Sequence, residues 1–288
     1  MGRVAVILVC CCMLPRATTG EESNKQLANF QRDNLVAWCI VPFDAKHRSP
    51  AARAEMVKRL GLGRVAYDWR QEHVAEFEEE ILQYQQHGIE YFAFWSWHDA
   101  IEPLIRKYKI RPQIWQTCPS PEGQTQETRV KMAAESLLPL VEKTQSLGLQ
   151  LGLYNHGGWG GEPQNLIEVC QYLRTRHNAA HVGVVYNLHH GHGHITDFPS
   201  VLKRLKPYLL CLNLNGMRNA EEVERDAEAN KIVPISAGRH ESEMIGQIID
   251  SKYNGPIGIL GHRSDVDVEI ALRLNLDGLQ RILNARQK

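Results

Sequence analysis

Eight short apolar runs, each followed by an amphipathic stretch, recur through most of this 288-residue chain. No other feature limits the possible folds so tightly. The runs are Leu35–Val41, Arg64–Tyr67, Tyr91–Trp95, Pro112–Trp115, Gln150–Tyr154, Val182–Tyr186, Tyr208–Leu214 and Ile257–Leu260. They are rich in β-branched and aromatic residues and lack strict alternation, the pattern of parallel strands buried on both faces. Helical periodicity fills the intervals at Ala51–Leu60, Val74–His87, Ala100–Lys107, Thr128–Leu147, Leu166–Arg176, Phe198–Leu205, Ala220–Ala229, Glu243–Ser251 and Asp267–Leu283. Gly61, Gly88 and Gly148 stand where a left-handed residue ends a helix, and Ser264-Asp265 offers capping oxygens before the last one. Eight such units in about 250 residues predict an α/β fold, a single-domain (β/α)8 TIM barrel. A doubly wound open sheet is the runner-up, but no G-x-G-x-x-G follows the first run, and no nucleotide cofactor is expected. The longest interval, between the seventh and eighth runs, contains Lys231–Gly238, which reads as a loop dipping back toward the barrel mouth.

The first residues read differently. Met1-Gly2-Arg3 is a short basic start, Val4–Leu14 is unbroken apolar, Pro15 breaks the run, and Ala17-Thr18-Thr19-Gly20 precedes acidic Glu21-Glu22. This is the layout of a secretory signal peptide, and the run is too short for a stable membrane span. The expected organisation is a signal peptide over 1–20, a linker over 21–33 and the barrel over 34–288, with export to the periplasm or the extracellular space. Three of the seven cysteines lie in this leader; Cys39, Cys118, Cys170 and Cys211 remain, without C-x-x-C spacing, so neither a zinc knuckle nor a redox pair is indicated. Lys plus Arg and Asp plus Glu both number 33. A chain without positive excess has little attraction for phosphate backbones, so a nucleic-acid partner is not expected. The oligomeric state is not legible.

In a barrel of this kind the chemistry gathers where strands end. Those ends carry Asp44, Lys46 and Arg48; Asp68, Trp69 and Arg70; Trp95, Trp97 and His98; Trp115; Asn155, His156 and Trp159; Asn187 with His189, His190, His192 and His194; Asn213 and Asn215; His240 and Glu241; and His262. Four histidines within six positions after an apolar strand suit metal ligands or acid–base groups, or a flexible surface loop. The tryptophans suit ordinary packing at the mouth or a carbohydrate wall, since indole offers an apolar face and one donor. On this reading Asp44, Asp68, Trp69, Trp95, Trp97, Trp115, Asn155, Trp159, Asn187, Asn213, Asn215 and His240 contact a carbohydrate substrate.

Taken in order, Tyr154-Asn155-His156-Gly157-Gly158, Asn187-Leu188-His189-His190, Asn213-Leu214-Asn215 and the closing run from Val233-Pro234 through Gly238-Arg239-His240-Glu241 to Tyr253-Asn254-Gly255-Pro256-Ile257 resemble the xylose isomerase-like TIM-barrel superfamily. That superfamily holds sugar phosphate isomerases and epimerases and is related to endonuclease IV. Trp38–Asp44 and Tyr67-Asp68-Trp69-Arg70 resemble a secreted bacterial subgroup. The resemblance implies a divalent cation held by carboxylates and histidines at the ends of strands five to eight. Here those positions hold Tyr154, Asn187 with His190, Asn213 and Gly261 beside His262. The carboxylates are missing, and neutral amides hold hard cations weakly. Imidazoles suit zinc, manganese or cobalt, with His156, His190, His192 and His262 as ligands; a metal-free site stands equally open.

Two mechanisms follow. With a metal, vicinal oxygens of a sugar chelate it while a base moves the adjacent proton. Without one, a histidine is the base, and Arg, Lys or amide donors steady the enediolate oxygen. The catalytic candidates are His190, His156, Arg70, Lys46 and Glu241; Glu162 is either a second carboxylate or a helix-start residue. The expected activity is that of an exported sugar isomerase or epimerase. The alternatives are a keto-sugar lyase or hydrolase on the same scaffold, or a carbohydrate-binding barrel without turnover.

Overall fold

The structure, a computed structural model, describes residues 27–123 and 125–286. The leader read over 1–20 lies outside the described residues, as does the first part of the 21–33 segment. Eight strands, β1 (Val36–Trp38), β2 (Arg64–Asp68), β3 (Glu90–Trp95), β4 (Gln113–Thr117), β5 (Leu151–Tyr154), β6 (Val182–Asn187), β7 (Leu209–Leu214) and β8 (Ile257–Leu260), pair in chain order, all parallel. β1 also pairs with β8, with Val36 opposite Gly258 and Trp38 opposite Leu260, which closes the barrel. Helices cover the outside, so every strand is buried on two faces, which is why the runs lack alternation. No helix of the described residues is long and apolar enough to cross a membrane.

The helices begin and end for local reasons. Ser49 accepts from Ala52 N ahead of helix Pro50–Arg59, and Thr125 accepts from Thr128 N ahead of helix Gln126–Leu147. Gly148 ends the latter at φ 66°, a left-handed conformation that costs other residues a Cβ clash. Two elements depart from the periodicity. A 3-10 segment, Gln71–Glu76, precedes helix Phe77–His87. The amphipathic stretch at 220–229 splits into Ala220–Arg225 and Ala227–Asn230, because Asp226 is extended and caps the second piece through Ala229 N. Ahead of β1, residues 28–34 form two 3-10 turns; Leu27 and Phe30 are buried, and Asn29 donates to the carbonyls of Tyr253 and Gly255.

Two cores result. The larger lies between the sheet and its helices. The smaller fills the barrel and is strongly aromatic, with Trp38, Phe92, Trp115 and Tyr154 packed beside Val36, Ala66, Val185 and Cys211. Trp38 and Trp115 meet edge to face at 4.9 Å between centroids, and Trp38 Nε1 donates to the Tyr154 hydroxyl at 3.3 Å. Such bulk needs small neighbours. A Cβ on Gly152 would stand 3.2 Å from Trp115 Cδ1, and one on Gly258 would collide with the Asn213 amide oxygen. The barrel is plugged from below by this cluster, and chemistry is confined to its upper rim.

Candidate functional site

At that rim Trp38, Cys39, Phe43, Asp68, Arg70, Trp95, Tyr154, His156, His189, His190 and His262 enclose a cavity of about 50 Å³. Each arrives from a strand end. Asp68 closes β2 and Trp95 closes β3, Tyr154 closes β5 with His156 just beyond, the two histidines 189 and 190 occupy the 3-10 turn after β6, and His262 follows β8. The rings interlock. His189 and His190 lie 3.9 Å apart between centroids, His156 and His190 4.8 Å, and His262 stacks on Phe43 at 3.7 Å. The Arg70 guanidinium lies over Phe43 at 5.3 Å and Trp95 at 5.6 Å, and its Nη1 donates to Trp69 O at 2.7 Å.

The polar chemistry of this cavity is incomplete within the chain. Asp68 Oδ2, Trp95 Nε1, both ring nitrogens of His189, His190 Nε2 and His262 Nδ1 are buried without a hydrogen-bond partner among the described residues. Buried polar atoms are paired in nearly all folded proteins, and a cluster of exceptions needs a reason.

Electrostatics sets the charge states. Burial pushes the Asp68 carboxyl up to about 6, against the pull of Arg70, which favours the ionised form. Burial, and then the Lys231 ammonium, push His190 down to about 3; burial, then Arg70 and Lys231, push His262 down to about 4. His189 is driven well below the ordinary range by burial and by His190, and His156 is lowered by burial and Lys231. Burial holds the Cys39 thiol and the Tyr154 phenol neutral by raising both. At neutral pH the cavity therefore contains neutral imidazoles, a guanidinium, and one mostly ionised carboxyl whose pKa of about 6 lies close below.

Of the residues named from sequence, Asp68, Arg70, Trp95, His156, His190 and His262 converge here. The others are placed elsewhere, each with a partner that explains it. Asp44 is buried in a two-toothed pair with Arg48 at 2.7 and 2.8 Å, and exposed Lys46 pairs with Asp267 at 3.3 Å, so both tie the loop after β1 to the last helix. Glu241 is buried and accepts from Met217 N and Gly238 N, holding the late loop. His240 Nε2 lies 2.6 Å from Asn219 Oδ1. Trp69 donates to Ser96 O, Trp97 to Asp99, Trp115 to Gln113 inside the barrel, and Trp159 to Gln126. Asn155, Asn187 and Asn213 form a buried amide ladder across β5, β6 and β7: Asn213 Nδ2 donates to Asn187 Oδ1 at 2.7 Å, and Asn187 Nδ2 to Asn155 Oδ1 at 3.0 Å. Asn215 Nδ2 donates to Gly216 O. Glu162 is the residue before helix Pro163–Arg176 and pairs with His194 Nε2 at 3.0 Å.

Five lining residues were not named from sequence as site residues: Trp38, Cys39, Phe43, Tyr154 and His189. The signal for Phe43 and His189 was their place in the strand-end segments. Cys39 gave none, because its left-handed φ of 58° is not written in its residue type.

The donor set does not fit a metal ion. Among the described residues no three of His, Cys, Asp and Glu are grouped so as to hold one. His156, His190 and His262 share the cavity, but His192 lies outside its lining, with Nδ1 3.2 Å from His189 O. Tyr154, Asn187 and Asn213, which stand where the resemblance implies ligands, already bond to Trp38 and to one another.

A closed parallel barrel with its titratable groups gathered at the strand C-termini has the fold of the xylose isomerase-like (β/α)8 proteins. Three solved structures make the likeness specific. It covers 86% of this chain and 98% of the 3-keto-D-glucoside 4-epimerase YcjR from E. coli, at a TM-score of 0.61 and 12% identity. It covers 88% of this chain and 97% of D-psicose 3-epimerase from Clostridium cellulolyticum H10, at a TM-score of 0.56 and 11% identity. For the IolI protein, solved with a zinc atom, the shares are 87% and 98%, the TM-score is 0.63 and the identity 11%. No family model matches the sequence, and no curated protein does so either. Identities this low establish a shared fold, not a shared reaction.

Proposed function

We propose that this barrel moves a proton on the carbon beside a carbonyl of a small polyhydroxylated compound, the chemistry of an isomerase or epimerase, without a metal. One observation carries the reading: a buried carboxyl poised near neutrality, Asp68, shares a cavity with a guanidinium and a ring of unpartnered neutral donors and acceptors. Hydroxyl groups both donate and accept, so a polyol satisfies mixed unpartnered atoms of this kind. A general base works best with a pKa near the operating pH. Asp68 meets that condition, whereas His190 and His262 are too weakly basic. In the proposed step the ionised Asp68 takes the proton from carbon, the C–H electron pair enters the carbonyl, and an enediolate forms. Arg70 stabilises the oxyanion, and neutral imidazoles donate to it. Return of the proton from Asp68 to the neighbouring carbon, with the hydroxyl proton passing between the two oxygens, gives an isomer; an epimer forms where water delivers a proton to the opposite face and Asp68 gives its own up to solvent. The cavity is smaller than pockets that enclose whole ligands, roughly 300 Å³ and above. The reacting carbons therefore occupy it, while the rest of the molecule lies over the rim against Phe43 and Trp95. The reading includes export, supported by the pattern of Met1–Gly20.

The test is incubation with aldoses and ketoses in deuterated water, followed by NMR. Deuterium should enter next to the carbonyl, and D68N should slow entry about 100-fold or more. The second reading, a carbohydrate-binding barrel, is favoured by the sealing of Asn187 and Asn213 into the amide ladder. Saturable sugar binding with no exchange would select it.

A further inference from the structure

Moving a carbonyl along a sugar chain takes two proton transfers, one at carbon and one at oxygen, and Asp68 accounts only for the first. The second needs a group that both gives and takes a proton. Most of the cavity lining does not meet that requirement. The Arg70 guanidinium and the Trp95 indole only donate, and the Tyr154 hydroxyl already accepts from Trp38 Nε1. A neutral imidazole has one donor and one acceptor. Strand order selects among the four rings. In a closed barrel whose eight strands pair in chain order, β6 stands four strands from β2 in either direction, directly across the mouth. The turn after β6 therefore presents His189 and His190 opposite Asp68, whereas His156 and His262 follow β5 and β8. Of the pair, His190 lies nearer the middle. Its ring meets those of Tyr154, His156 and His189 at 6.1, 4.8 and 3.9 Å between centroids, whereas the rings beside His189 are those of His190 and His262. His190 Nε2 is buried without a partner among the described residues. The turn is fixed from both sides: Asn187 N donates to Asn155 Oδ1 at 2.7 Å, and Gly191 N donates to Leu188 O at 2.7 Å.

We infer that His190 carries the hydroxyl proton between the two oxygens of the reacting carbons, and that the reaction is an isomerisation rather than an epimerisation. The inference rests on the proposed proton transfer at Asp68. In an aldose, ionised Asp68 takes the proton from the hydroxyl-bearing carbon, the C–H pair forms a carbon–carbon double bond, and the carbonyl pair moves onto the first oxygen. His190, as its Nε2–H tautomer, gives its proton to that oxygen, and the same nitrogen takes the proton of the neighbouring hydroxyl. The O–H pair becomes the new carbonyl, and the double-bond pair takes the proton held by Asp68 at the former carbonyl carbon. Carboxylate and imidazole end as they began, and no further reactant enters. Two features favour this course. Burial, and then Lys231, lower the His190 ring to about 3 and so keep it neutral; a neutral imidazole serves as electrophile in such reactions, whereas an imidazolium has no lone pair with which to take the hydroxyl proton. Epimerisation needs water on the side away from Asp68, and in a cavity of about 50 Å³ the His189 and His190 rings wall that side.

The test is incubation of the full chain with D-glyceraldehyde, D-erythrose, D-ribose and D-glucose in deuterated water, with ketose, epimer and deuterium in the recovered aldose all followed by NMR. The unmodified protein should give ketose in excess over epimer. H190Q keeps a donor and an acceptor on separate atoms, so it holds the oxyanion without passing a proton. Its ketose formation should fall about 100-fold relative to deuterium entry into the recovered aldose. That ratio does not depend on how much of a preparation is active. H190N, with the same groups on a shorter side chain, repeats the comparison and guards against a folding defect peculiar to one variant. H189Q should leave the ratio unchanged. An unchanged ratio in both His190 variants, whether or not the rates fall, would overturn the inference. So would an H189Q protein that loses ketose in their place, or an unmodified protein whose main product is the epimer. In each of these cases the proton transfer at Asp68 would stand. An unmodified protein that exchanges no deuterium with any of the four sugars would remove the proposed function, and the role of His190 with it.

Discussion

Replacing Asp68 with asparagine should stabilise this protein at neutral pH and disable it in the same stroke. The carboxyl is 1% exposed, accepts from Val41 N at 3.4 Å through Oδ1, and leaves Oδ2 unpartnered. Burial raises it from 3.8 to about 6. A carboxyl raised on folding binds its proton more tightly in the native state. Its contribution to stability is therefore complete below the unfolded value and is lost as pH rises through the folded one. A shift of about two units corresponds to about 3 kcal/mol, of which about 2.5 kcal/mol falls between about pH 4 and pH 8. Asparagine keeps the acceptor and resembles the protonated acid, so it escapes that loss. Urea unfolding of both proteins across this range gives the difference directly, and contributions from the histidines cancel because both chains share them. The stability gap should widen with pH by about 2.5 kcal/mol in favour of the variant. A gap that is flat with pH would mean that Asp68 titrates normally, and the acid–base role would fall with it.

Three further outcomes follow from the same geometry. R48A should cost about 3 kcal/mol, because it strands the buried charge of Asp44 and cuts the link to Asp267 and Glu269; sugar affinity should stay unchanged, and a purely functional loss would contradict the placement of Asp44 outside the site. Nitrogen NMR of the imidazoles should show His262 titrating near about 4 and His190 near about 3. Both are depressed, so their stabilising contribution is present above the unfolded value and lost as pH falls through the folded ones; a charged ring at pH 6 in either would contradict the neutral cavity. W95F removes a buried indole N–H that has no partner; stability should hold within about 1 kcal/mol while sugar affinity falls several-fold, and unchanged affinity would show that this donor faces no ligand.

The fold was legible because parallel-barrel strands announce themselves twice, by apolar runs and by the helical patterns between them. β8 was read at its observed ends, Ile257–Leu260, and the Phe198–Leu205 helix likewise. The stretch at 220–229 was misread as one helix because the cap at Asp226 wins over a continuous periodicity. The site was half legible. Position after a strand gathered His156, His190, His262, Asp68, Arg70 and Trp95 at one rim, and they line one cavity there. The same rule could not say which polar groups were already spent on one another, as Asp44 is on Arg48 and Glu241 on two backbone amides. Nor could it rank Asp68 above His190 as a base, since burial moves the two in opposite directions: it disfavours the charge on each, raising an acid and lowering a base.

The amide ladder shows how the positions where the resemblance implies metal ligands hold together without a cation, and it yields a last test. Carboxylates side by side on adjacent strands only accept hydrogen bonds and repel one another, so a cation between them holds the arrangement together. An asparagine both donates and accepts. Asn213 gives to Asn187, Asn187 gives to Asn155, and Asn155 Nδ2 returns a bond to Asn187 O at 3.1 Å. The chain closes on itself without charge, and Gly258 supplies the room that Asn213 needs. N187D breaks this logic at its centre. The new carboxylate has no donor for Asn155 Oδ1, which keeps only the Asn187 backbone N–H at 2.7 Å, so two acceptors face each other in a fully buried place. The expected loss is about 2–4 kcal/mol in urea unfolding. Added zinc, manganese or cobalt should not restore it, because Asn155 and Asn213 still present amides and His190 is held among other rings. If any of these ions restored the variant to the stability of the parent, the rim would be a metal site lacking only one charge, and the metal-free mechanism would have to be abandoned.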